Sequence, residues 1–131
     1  MSGDPECSFE KGIYREQQIS YFCGNALACR IVGNVEALQR AKLNLETKFH
    51  FVGLAEEMGK SLKLLERELP RFFKGLDALY KELDNPWKNV NLHPQISEEA
   101  KSALGRKMSH EIDFYNYARA AFHKLIDSLD I

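Results

Sequence analysis

The chain has 131 residues, 44% of them hydrophobic and 28% charged, and a formal net charge of −1. That length suffices for one domain with a modest core, and the composition is that of a folded globular protein, not a low-complexity one. Near-neutrality gives no bulk attraction for nucleic acid or anionic membrane, and no nucleic-acid partner is expected. No apolar stretch reaches the about 20 residues a spanning helix needs.

Residues 1–33 scatter Gly, Pro, Asn and aromatics without a sustained period and read as irregular. The opening MSGDPECSFE is polar, with no apolar signal region. This segment holds all three cysteines, Cys7, Cys23 and Cys29. Five residues separate Cys23 from Cys29 and turn at Gly24-Asn25, a spacing that suits a small disulfide loop. Three buried thiols in a reducing compartment are the alternative. A fourth ligand at suitable spacing is missing, so no metal is expected. If Cys23 and Cys29 pair, Cys7 is left over, which in an oxidising compartment points to a partner elsewhere or to absent chain.

Asn34 is placed to cap a helix running to about Lys48, with Val35, Leu38, Ala41 and Leu45 on one face. The run FHFVGL (49–54) is β-like, with a strand expected near 49–53. A helix over 55–69 follows, its stripe read as Met58, Leu62, Leu65 and Leu69, with Pro70 ending it. After Pro70 a helical pattern resumes to Leu83, on Phe72, Leu76, Leu79 and Leu83. Residues 84–95 form a polar loop with two prolines. Ser97 then caps a helix to about Ser109, and a last helix over about 110–129 presents Phe114, Tyr115, Ala118, Phe122 and Ile126.

Within the 55–69 helix, Gly59-Lys60-Ser61 imitates the end of a phosphate loop. A true loop needs four residues between its first glycine and Gly-Lys-Ser, so that successive N–H groups curl around an anion. Here five separate Gly53 from Gly59, and two of them are Glu56 and Glu57. Lys60 is therefore expected to be a solvated helix residue.

A lone strand cannot satisfy its own backbone, so the strand's partners are expected outside this chain. With the odd cysteine, this favours a fragment of a larger α/β protein over a free-standing helical bundle.

Several runs occur in order: Phe-Cys-Gly-x4-Cys at 22–29, ALQRAKLNL at 37–45, VGLAEE at 52–57, LLERELP at 64–70, and Phe-Phe-Lys-Gly-x4-Tyr ending at Tyr80. With EIDFYNYARAAFHKL near the end, they make the chain resemble the glycosaminoglycan 2-O-sulfotransferases from about Cys7 onward. The uronyl branch is slightly closer than the heparan sulfate branch, on ALQRAKLN and LLERELP.

The resemblance implies an α/β fold, the C-terminal part of a P-loop-like sulfotransferase fold, predominantly helical over 34–131 with one short strand. It implies an enzyme moving a sulfuryl group from 3′-phosphoadenosine 5′-phosphosulfate (PAPS) to the 2-hydroxyl of a uronic acid in heparan, dermatan or chondroitin sulfate. It also implies the Golgi lumen, in a family of type II membrane proteins whose anchor this chain lacks. A lumenal location supports pairing of Cys23 with Cys29, and Cys7 then resembles the second member of an upstream disulfide.

The family's phosphosulfate loop and catalytic histidine precede the cysteine loop, so no catalytic residue is expected in this chain. None of His50, His93, His110 and His123 matches the catalytic position. Tyr80 matches a tyrosine whose following segment covers the cofactor, and Lys88, Asn89 and Asn91 are candidate cofactor contacts beside it. The implied partners are a sulfated glycosaminoglycan acceptor and the missing N-terminal half of the enzyme or a full-length homologue, with assembly into a homo-oligomer. The alternatives are a non-catalytic truncated homologue acting as a binding partner, and an unrelated helical bundle.

Overall fold

The computed structural model describes residues 17–83 and 95–131. The expectations for Cys7, His93, Lys88, Asn89 and Asn91 lie outside the described residues. Those described form α1 (Gln18–Cys23), α2 (Val35–Thr47), α3 (Met58–Glu68), α4 (Pro70–Phe73), α5 (Leu76–Glu82), α6 (Glu98–Lys107) and α7 (Ser109–Ser128), with 3₁₀ turns at Leu27–Arg30 and Ala55–Glu57. None of these helices is long and apolar enough to cross a membrane.

Two helix starts follow directly from local sequence. The Asn34 side chain accepts from the Ala37 amide at 3.0 Å, and Ser97 accepts from Ala100 at 3.2 Å, each supplying a bond that a helix N-terminus otherwise lacks. The start of α1 is satisfied differently. The Glu111 carboxylate, on α7, accepts from the Gln18 and Ile19 amides at 3.1 and 3.2 Å. Burial raises the pKa of Glu111 despite these two bonds. The described part of the 1–33 segment is thus partly helical, contrary to its irregular reading.

Residues 49–53 do not form a strand, and no strand occurs among the described residues. The segment runs extended into Leu54 (φ −111°, ψ 128°), as its composition suggests, but no neighbouring strand lies beside it there. Its backbone is held by a side chain instead, as described below.

The core has two parts. In the first, Ile19, Cys23, Cys29, Ala37, Leu38, Ala41 and Leu45 meet Phe114 and Ala118. In the second, Leu54 and Leu64 meet Phe122 and Ile126. Helix α7 serves both through four residues spaced by four. Because 3.6 residues make a turn, each such step advances the stripe about 40° around the axis, so the two ends of α7 address different neighbours. Val35 and Tyr115, both read as buried, lie at the surface (61% and 38% exposed), displaced by Ala37 and by the polar contact of Tyr115 with Glu56.

Cys23 and Cys29 are disulfide-bonded, with Cα atoms 5.5 Å apart and both residues buried. Closing so short a loop contributes about 2 kcal/mol in the chain-entropy model. Non-reducing peptide mapping should recover this pair, and reduction should lower the urea midpoint of the chain. A midpoint indifferent to reductant, or Cys7 bonded to either residue, would contradict the assignment.

Candidate functional site

The site expected around Tyr80 rests on α3, α4 and α5. The helix expected to run unbroken from residue 71 to 83 is broken at Lys74-Gly75, where Gly75 adopts φ 86°, a left-handed conformation that glycine enters without strain. Glu66 of α3 fixes the break, accepting from the Gly75 amide at 2.7 Å and the Asp77 amide at 3.1 Å. Those two bonds lower the Glu66 pKa. The Phe72, Leu76, Leu79, Leu83 stripe therefore does not form one buried face. Phe72, Leu79 and Leu83 are exposed, and neither α4 nor α5 buries a residue among those described.

Tyr80 is half-buried on α5, and its hydroxyl has no hydrogen-bond partner among the described residues. One turn earlier, Asp77 splits its carboxylate. Oδ2 takes the Lys81 ammonium at 2.6 Å, while the buried Oδ1 has no partner among the described residues. Tyr80 is thus available as a contact, and it is not the core aromatic that a continuous stripe would have made it.

Lys60 and Ser61 of the Gly-Lys-Ser stretch each have partners within the fold. The Lys60 ammonium lies 2.9 Å from the Glu57 carboxylate and is half exposed. Ser61 is buried, and its Oγ accepts from the Leu54 amide at 2.8 Å and donates to the Leu54 carbonyl at 2.9 Å. A Cβ at Gly53 would lie 3.0 Å from both Cβ and Oγ of Ser61. Gly53 and Ser61 are thus packed against each other, whereas a Cβ at Gly59 would meet nothing within 4 Å. The buried face of α3 is Ser61 and Leu64, not the Met58, Leu62, Leu65, Leu69 stripe. Met58 and Leu69 are exposed, and Leu62 and Leu65 only partly covered. A buried serine that spends both its hydrogen-bonding functions on backbone is invisible to an apolar pattern.

The described histidines do not converge. His50 pairs with Glu68 at 2.8 Å on the surface. His123 of α7 bonds Glu57, so the 3₁₀ turn is tied to α7 twice, by Glu57 to His123 and by Glu56 to Tyr115. Lys60 first and His123 second lower the Glu57 pKa, and Tyr115 lowers that of Glu56. His110 borders a small cleft with Gly33 and Glu111. No group of three His, Cys, Asp or Glu able to hold a metal comes together among the described residues. A hollow of about 880 Å³ opens beside α1 and the cysteine loop, lined by Gln18, Tyr21, Asn25 and Arg30, and Tyr80 does not line it.

No family model matches the chain. It is similar to the uronyl 2-sulfotransferase of Mus musculus, with 41% identity over 126 residues, covering 92% of this chain and 30% of that protein. It is similar at 41% identity over 128 residues to the heparan sulfate 2-O-sulfotransferase 1 of Gallus gallus, covering 92% of this chain and 34% of that protein. The uronyl 2-sulfotransferase homolog pip of Drosophila melanogaster shares 29% identity over 127 residues. The chain thus spans about a third of the length of the curated relatives it matches.

Proposed function

Because the chain belongs to the glycosaminoglycan 2-O-sulfotransferase family, we propose that it is the C-terminal portion of an enzyme that sulfates the 2-hydroxyl of a uronic acid in heparan, dermatan or chondroitin sulfate, in the Golgi lumen. The observation that carries this reading is the match of 92% of the chain to both the uronyl and the heparan sulfate enzymes. The buried Cys23–Cys29 disulfide supports an oxidising compartment. The P-loop-like α/β fold of the whole enzyme is part of the same proposal, with residues 51–54 as an extended segment beside its sheet.

PAPS supplies the activated sulfuryl group. As the uronyl oxygen bonds to sulfur, the sulfur–oxygen bond to the phosphate breaks, and the hydroxyl proton passes to a base. Such a transfer needs that base and cations on the leaving phosphate. None of His50, His93, His110 and His123 matches the family's catalytic position, so we assign no catalytic role within this chain. Its contribution is positional. The Glu66 bonds at Gly75 orient α5, which carries the half-buried Tyr80. Tyr80 is proposed as a contact to the adenosine bisphosphate part of the donor. Lys88, Asn89 and Asn91, from the segment that follows it, are proposed as further contacts.

In a full-length enzyme carrying this sequence, Tyr80→Ala should weaken PAPS binding by about 1–3 kcal/mol, through loss of a buried hydrogen bond or a stacking contact. Lys60→Ala should leave the affinity nearly unchanged, since the Lys60 charge is already paired. A cofactor titration of both variants decides the matter. Loss of binding in Lys60→Ala with none in Tyr80→Ala would overturn the assignment of the donor site. Sulfuryl transfer by the isolated 131-residue chain would overturn the reading of it as a non-catalytic portion.

A further inference from the structure

Between residues 60 and 74 the chain carries five cations, Lys60, Lys63, Arg67, Arg71 and Lys74, against two carboxylates, Glu66 and Glu68. Both carboxylates are engaged within the fold. Glu66 accepts from the Gly75 and Asp77 amides, and Glu68 pairs with His50. Two of the cations are also satisfied, Lys60 by Glu57 and Arg67 by the Leu129 carbonyl. Lys63, Arg71 and Lys74 are all exposed, and none has an ion-pair or hydrogen-bond partner among the described residues.

The fold gathers them. Lys63 lies one turn from Arg67 on α3, and α4, which carries Arg71, continues from the end of that helix. The 2.7 Å bond from the Gly75 amide to Glu66, three residues beyond Lys63, then brings the chain at Lys74 back beside the last turn of α3. Phe72, between Arg71 and Lys74, is 75% exposed and offers an apolar ring within the charged surface. Other unpaired cations among the described residues, such as Lys48, Arg106 and Lys124, sit on separate elements. The local surplus is positive on a chain that is neutral overall, and nothing in the described fold uses it.

We propose that Lys63, Arg71 and Lys74 form a contact surface for a sulfated polysaccharide. The choice of polyanion rests on the reading given under Proposed function, while the clustering of unneutralised cations stands independently of it. Guanidinium and ammonium groups bind sulfate oxygens by charge-assisted hydrogen bonds, and Arg71 can engage two oxygens at once. Release of counterions from the polyanion makes such binding steeply dependent on salt.

The test measures binding of a defined heparin oligosaccharide to the 131-residue chain across a series of salt concentrations. The triple variant Lys63→Ala, Arg71→Ala, Lys74→Ala should lose at least about 10-fold in affinity, and its slope of log K against log salt should fall by about 2–3. The triple variant Lys48→Ala, Arg106→Ala, Lys124→Ala, with the same change in net charge, should keep the parent slope. Alanine preserves helix propensity at the exposed helical positions Lys63 and Arg71, and glutamine replacements repeat the measurement with longer stems should the alanine variant fail to fold. Equal slope losses in both triples, no loss in either, or equally effective competition by a DNA duplex of the same charge would overturn the proposal. A parent-like slope together with sulfuryl transfer by the full-length enzyme would sink this surface and leave the family reading intact. The expected slope loss, in a protein whose full-length form transfers no sulfate, would do the reverse.

Discussion

Phe114→Ala is expected to lower the unfolding free energy of the chain by about 4 kcal/mol. Phe114 is 1% exposed and sits where α1, α2 and α7 meet, its ring centroid 5.0 Å from that of Phe22. Phe22 in turn touches Phe49 at 4.8 Å, so truncation removes one end of an aromatic row as well as its own buried surface. Large-to-small changes at such sites forfeit both transfer energy and the contacts across the cavity left behind. Against a total stability of about 5–15 kcal/mol for a domain of this kind, the loss is a large fraction of the whole. Phe72→Ala provides the comparison. That residue is 75% exposed, and its removal should shift stability by no more than about 0.5 kcal/mol. Urea titrations of both variants read the difference. Similar midpoints would mean that the packing of α7 on α1 and α2 is not what holds the chain together.

Both phenylalanines lie on helical apolar stripes in the sequence, and only the fold separates them. What proved legible was local. Asn34 and Ser97 cap their helices three residues ahead, within reach of any reading of neighbouring residues. The ends of α2, α6 and α7 fall within two residues of expectation, because caps and periodicity act over a single turn. Non-local determinants were not legible. The start of α1 depends on Glu111, 93 residues away, and nothing in QISYFC announces that cap. The break at Gly75 depends on Glu66, which a periodic reading treats as one more solvated charge. Residues 49–53 have the composition of a strand and an extended exit at Leu54, yet a strand is a property of a pair. As for the proposed donor contact, Tyr80 was reached only through the family resemblance. The fold adds that it is half-buried, beside an unpartnered Asp77 oxygen.

Ser61→Ala is expected to destabilise the chain by about 2 kcal/mol, more than is usual for loss of one exposed hydroxyl. Ser61 Oγ satisfies both the amide and the carbonyl of Leu54, and Leu54 is 5% exposed. Alanine leaves the buried Leu54 amide without a partner, a loss of about 1–3 kcal/mol, while the Leu54 carbonyl keeps the Glu57 amide at 3.2 Å as its remaining donor. The same serine limits what Gly53 can become. An added Cβ there would sit 3.0 Å from Ser61 Cβ and Oγ, closer than ordinary contact allows, so Gly53→Ala must displace either the extended segment or α3. The two positions should therefore be coupled. In a Ser61→Gly background the obstruction is gone, and Gly53→Ala should cost about 1 kcal/mol less than it does in the parent. A double-mutant cycle by urea unfolding measures that coupling. Additive losses would mean that the extended segment is anchored elsewhere. A cycle coupled in the expected sense, with Lys60→Ala neutral beside it, would assign Gly53 and Ser61 to backbone anchoring and leave Lys60 a surface cation.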